Sequence, residues 1–195
     1  GIAAASALIH PSGSNASGGY ANAVGANSSA SGYRSDAMGW YANANGDYGV
    51  ALGSRSTASG FDSIAAGGFG TTAVGEFSAA FGAFAYAGGE SSVAVGNGAH
   101  ALGASSIAVG TSAHSYSDNS IAIGNGSYVA ATGAVGYYGA YAPAETQGIA
   151  IGNGASVTGV NGAAVGVNAS ASGVYSSAFG SSSNAGGAYS TALGD

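Results

Sequence analysis

His100 and His114 stand fourteen residues apart, and Tyr86 and Tyr128 lie one more such step out on either side. Equal spacing puts all four on one face of a stacked chain and predicts a vertical stripe. Two imidazoles in contact suit a metal pair or a pH-sensitive patch. With no cysteine and no third fixed ligand they fall short of a metal site, and a variable column of exposed residues explains them better. Tyrosines on a surface join large contact area to a polar handle, which suits protein binding. The same rings would also steady adjacent strands as cross-strand pairs, so both roles stay open. Tyr137, Tyr138 and Tyr141 crowd one irregular stretch and are further candidate contacts. Asn119 opens the most regular phrase of the chain; it is a candidate contact or simply part of the repeat's packing core. His100, Asp118 and a serine could be written as a triad, but nothing marks a nucleophile elbow or an oxyanion site. The expectation is no catalytic residue, no metal and no cofactor.

The elements that must carry these residues are repeats. Ser92-Val93-Ala94-Val95-Gly96, Ser106-Ile107-Ala108-Val109-Gly110 and Ser120-Ile121-Ala122-Ile123-Gly124 are one phrase at a period of fourteen. The register runs back through Gly82, Gly67, Gly53, Gly39 and Gly25, with one step of fifteen between Gly67 and Gly82. It runs forward through Gly152, Gly166, Gly180 and Gly194. The gap of 28 from Gly124 to Gly152 reads as two coils. Two places before each of these glycines stands an alanine without exception, from Ala23 to Ala192. A second glycine falls half a period on, replaced once by Ser117, so each coil has two halves with a short strand and a bend apiece. Self-similarity at a short fixed period predicts a solenoid.

Composition removes whole classes. The 195 residues hold 38 glycines and 46% hydrophobic residues, which excludes a disordered linker. Arg34 and Arg55 are the only basic residues and the net charge is −6, so a nucleic-acid groove and a basic membrane helix are both excluded. There is no lysine for a phosphate loop and no Gly-Gly-x-Gly-x-Asp calcium repeat. Ice binding would need a threonine column, and the threonines form none.

In order, residues 1–17 are off register and predict an irregular cap; 18–195 carry the repeats, with an irregular coil at about 125–151. The extra residue before Gly82 predicts a bulge or a longer turn. The chain reads as a piece of a longer protein.

Alternation separates the strand faces. Ile121 and Ile123 share one face; Ser120 and Ala122 share the other. The expectation is that the aliphatic face fills the coil and the Ser/Ala face packs against another chain. In the other half-coil, Ala99 and Ala101 should point inward. The column between them (Ser29, Asn43, Thr57, Thr71, Tyr86, His100, His114, Tyr128) should meet water. One strand buried on both faces predicts an oligomer around a common axis.

Asn119-Ser120-Ile121-Ala122-Ile123-Gly124 resembles the NSVAIG motif of YadA-like trimeric autotransporter adhesin heads. Ser91 to Gly96 and Gln147 to Gly152 are near copies, and the resemblance covers about residues 18–195. Where the motif has Asn, this chain has Tyr20, Tyr48, Tyr175, Tyr189 and Phe77. The resemblance implies an all-β fold, a left-handed parallel β-roll built as a single-stranded solenoid in a homotrimer. It implies cell-surface display outside a Gram-negative outer membrane, reached through a neck, stalk and C-terminal anchor that this sequence does not contain. It implies a non-enzymatic head that binds host extracellular matrix proteins (collagen, fibronectin or laminin) or cell surfaces. The alternative is a structural spacer or self-association module, active in autoagglutination or biofilm and without a host ligand.

Overall fold

A computed structural model describes residues 13–130 and 147–194. The chain divides into two units, 1–98 and 99–195, and both are built alike. Each fourteen-residue coil contributes one three- or four-residue strand and one two-residue strand. Strands of each kind pair in parallel with their equivalents one coil away, so each unit has a long-strand ladder and a short-strand ladder. In the second unit Ile107 pairs with Ile121 and His100 with His114. This is a parallel β-solenoid, as the period predicts.

The inside of the coil corrects the face assignment. Ala122 and Ala108 are fully buried, as are Ala94, Ala80, Ala150 and Ala164, while Ile123, Ile151 and Phe179 are about two-fifths exposed, at 39%, 39% and 43%. The alanine column therefore fills the coil, and the aliphatic column points out. The cause is space. A fourteen-residue turn closes so tightly that its two strands can face each other only through small side chains. Ala99 and Ala101 on the short strands are also fully buried, as expected, and His100 between them faces outward. Where the inner residue grows, its opposite shrinks. Val129 and Val157 are interior, and Gly148 and Gly162 stand across from them; a Cβ on these glycines would lie 2.5 Å and 2.9 Å from a valine methyl.

Serines finish the interior at the bends. Ser35 and Ser63 are fully buried and donate their hydroxyls to the carbonyls of Gly32 and Gly60, both at 2.8 Å. Serine satisfies a buried carbonyl at least volume.

Three expectations change with the register. Ile121 pairs directly with Ile149 and Tyr128 with Ser156, each 28 positions on, so Gly124 to Gly152 is one coil step and not two. The added residues fall between the strands Tyr128–Val129 and Gly148–Ile151 without adding a rung. The fifteen-residue coil takes its extra residue as a longer turn at Gly67-Gly68-Phe69-Gly70, because Thr57 pairs with Thr72. The outward place thus belongs to Thr72, and Thr71 is fully buried, donating to the Gly82 carbonyl at 2.7 Å. At the start, Asn15–Ala16 already pairs with Ser29–Ala30, so the ladder reaches into the stretch read as a cap.

The glycine column is steric. Gly110 has φ of +135°, and a Cβ there would sit 2.5 Å from the Gly124 carbonyl oxygen of the next coil. Gly126 has φ of +63° with nothing within 4 Å. Gly110→Ala should cost roughly 1–3 kcal/mol in urea unfolding through overpacking, and Gly126→Ala only about 1 kcal/mol for its left-handed backbone.

Candidate functional site

The outward positions carry the candidate chemistry. His100, His114 and Tyr128 are consecutive rungs of one short-strand ladder in the second unit. The imidazole centroids are 5.0 Å apart, edge to face, and His114 stands 6.3 Å from the Tyr128 ring. Tyr116, which the spacing of the histidines does not single out, completes the cluster. It lies parallel to His114 at 5.5 Å and edge-on to Tyr128 at 5.6 Å. Two residues along a strand return to the same face, which is the signal that finds Tyr116.

Each histidine is half-buried, and that burial lowers its pKa below the usual 6.5; for His114 the charge of His100 adds to the effect. The pair thus resists double protonation. Among the described residues no group of three His, Cys, Asp or Glu side chains is placed to hold a metal. Tyr86 occupies the equivalent outward place on the short strand Tyr86–Ala87 of the first unit. Tyr137, Tyr138 and Tyr141 lie outside the described residues.

Asn119 has a structural task. Its φ is +52°, the left-handed region, which Asn tolerates better than most residues. Its N–H donates to the Ala104 carbonyl at 2.8 Å, and its neighbour Asp118 accepts the Ala104 N–H at 2.8 Å. Asn119 also borders an open depression of about 230 Å³ with Ile121, Gln147, Ile149 and Asn161. Asn119 stands at the bend before the long strand Ile121–Ile123, whereas His114 and Tyr128 stand on short strands.

What the outward surface repeats is as telling as any cluster. Left-handed residues recur at the bends before the long strands, at Tyr20, Arg34, Tyr48, Asp62, Phe77, Ser105, Asn119 and Asn161 among others. Overlapping matches to the YadA head domain repeat, two copies to a match, cover residues 16–42, 30–56, 44–69, 73–99, 87–113, 101–127, 145–170 and 171–195.

The chain belongs to the YadA head repeat family.

A YadA-type head is an adhesin module, and the placement of this chain is the bacterial cell surface. A solved structure described as the collagen-binding domain of the Yersinia adhesin YadA is similar at 23% identity with a TM-score of 0.41. The match covers 93% of this chain and 70% of that one. No curated protein matches the chain. Tyr20, Tyr48 and Phe77 stand at the place of Asn119 in their coils and share its left-handed backbone, with φ of 60°, 59° and 56°.

The lowered histidine pKa values fix a sign. Between the folded pKa and about 6.5 the unfolded chain binds more protons, so stability is complete above about 6.5 and falls as pH drops through the folded pKa. The melting temperature should decline from pH 7.5 to 5.5, and His100→Asn with His114→Asn should flatten that decline, measured by circular dichroism at each pH.

Proposed function

We infer that this chain is the binding head of a non-enzymatic adhesin that engages host extracellular matrix protein (collagen, fibronectin or laminin) or the cell surface. The observation that carries the reading is the run of family repeats through nearly the whole chain. The fold supports it chemically. Each coil returns the same outward positions, so weak contacts recur along the ladder and add through multivalency. Display outside a Gram-negative outer membrane, on a stalk and anchor beyond this sequence, belongs to the same reading.

The working form is a homotrimer. The outward aliphatic residues of the long-strand ladder support this. Met38 and Leu52 in the first unit and Ile123, Ile149, Ile151 and Phe179 in the second are more than a third exposed, and they form contiguous rows rather than scattered spots. A row of that kind is an interaction surface in soluble proteins. Three copies related by one axis would each bury it against the other two. The same ridge favours self-association as the second reading, in which the head agglutinates cells without a host ligand.

Sedimentation should give three times the chain mass. Ile123→Asp with Ile151→Asp should shift it toward one chain mass and cut retention on immobilised collagen, fibronectin or laminin at least tenfold through lost avidity. Retention on none of the three, with cell agglutination intact, would select the second reading.

A further inference from the structure

The bend before the long strands of the first unit carries two interleaved zigzags. In successive coils the residue pairs are Tyr33-Arg34, Asp47-Tyr48, Phe61-Asp62 and Glu76-Phe77. Each coil thus presents one ring and one charge, and the order swaps at every coil. Backbone bonds lock the pairs together: the N–H groups of Arg34, Tyr48, Asp62 and Phe77 donate to the carbonyls of Gly19, Tyr33, Asp47 and Phe61 at 2.7–2.8 Å.

The rings form one continuous line. Tyr20, Tyr33, Tyr48, Phe61 and Phe77 follow each other edge to face, with centroids 5.9, 5.7, 5.5 and 5.6 Å apart. All five are exposed. Beside them run Asp47, Asp62, Glu76 and Glu90, also exposed, on successive coils. Asp47 spends one oxygen on the Tyr33 N–H at 2.8 Å. Four of the chain's eight acids sit on this single corner.

Ring stacking alone would stabilise the coils. The carboxylates do the opposite, because like charges on neighbouring strands repel. They also bar the corner from a dry interface between copies, where unpaired charge is costly. At one end of the line the structure shows what such a surface holds. The Arg34 guanidinium lies over Tyr20 and Tyr33, 5.7 and 5.3 Å from their centroids. Further along, the same rings continue and carboxylates replace the arginine. The chain's other arginine, Arg55, rests on Trp40 at 4.8 Å and Phe69 at 5.5 Å. With no lysine and both arginines seated, a second copy of the chain cannot provide the missing cation.

We propose that the Tyr48–Phe61–Phe77 line with Asp62, Glu76 and Glu90 docks an extended arginine- or lysine-rich segment of a partner protein. Each cationic group sits over a ring face or edge gap as Arg34 does, with its charge against the adjoining carboxylates. This deepens the adhesin reading by naming the chemistry of the partner.

The test uses the whole chain, an eight-residue peptide alternating Arg and Ser, and the same peptide with citrulline for Arg. Citrulline keeps the shape and removes the charge. Binding of the arginine peptide at least tenfold tighter than the citrulline peptide is expected. Phe61→Leu and the pair Asp62→Asn with Glu76→Gln should each weaken it about fivefold, within the range of exposed cation–π and ion contacts. These residues are exposed, and circular dichroism checks that the variants keep their fold. No arginine-peptide binding overturns the proposal, as does Phe61→Leu binding like the parent, which would leave only diffuse charge attraction. The same proteins on immobilised collagen, fibronectin and laminin separate the two readings. Retention that ignores all three substitutions sinks the docking line alone. Peptide binding without any retention sinks the matrix-adhesin reading and leaves the docking line standing.

Discussion

The whole structure depends on how little room a fourteen-residue coil encloses. Two strands of two to four residues face each other across a gap that alanine and serine fill completely. Close packing then leaves no freedom at those positions. One methyl added on the glycine side must be removed elsewhere, as the Val129–Gly148 and Val157–Gly162 pairs show. Among the described residues nothing larger than valine is fully buried, so the bulky side chains go outside. A protein that is 46% hydrophobic thus carries its bulk on its surface. That inversion leaves an aliphatic row on the long strands and aromatic rings on the corners.

The bends follow from the same geometry. To close in so few residues the backbone must enter the left-handed region in each half-coil, and it does so at Tyr20, Asn27, Arg34 and Tyr41 in turn. Asn or Gly takes this conformation at least cost. At Tyr20, Tyr48 and Phe77, edge-to-face contact with a ring of the neighbouring coil offsets the strain. The corner can therefore vary in sequence while the coil does not. The variable side chains sit on the corners and outward faces, and the inner lattice holds them in register.

Much of this was legible in the sequence. The period, the alanine column, the half-period bends and the outward His100–His114–Tyr128 column all follow from spacing. The side of the sheet did not. Alternation tells that Ala122 and Ile123 face opposite ways, but not which way is in, and the habit of placing the larger residue inside fails for so narrow a coil. The better signal was invariance: the alanines never change, while the next column runs from Ala66 to Phe179. Counting by period likewise took Gly124 to Gly152 as two coils, because spacing cannot tell an inserted segment from a rung. Spacing left Asn119 open between a contact and the repeat's packing core, and it did not show the left-handed bend that the residue occupies. The aromatic zigzag was hidden because its rings alternate between two columns, and the column of Tyr20, Tyr48 and Phe77 alone does not show that Tyr33 and Phe61 fill its gaps.

Cysteine reactivity reads the inward assignment most directly, since the chain has no cysteine of its own. Ala164 and Val165 are neighbours on one long strand and face opposite ways. A cysteine introduced at 164 should react with maleimide only as fast as the protein unfolds, while one at 165 should react much sooner. Faster labelling at 164 than at 165 would contradict the small-residue interior on which the rest depends.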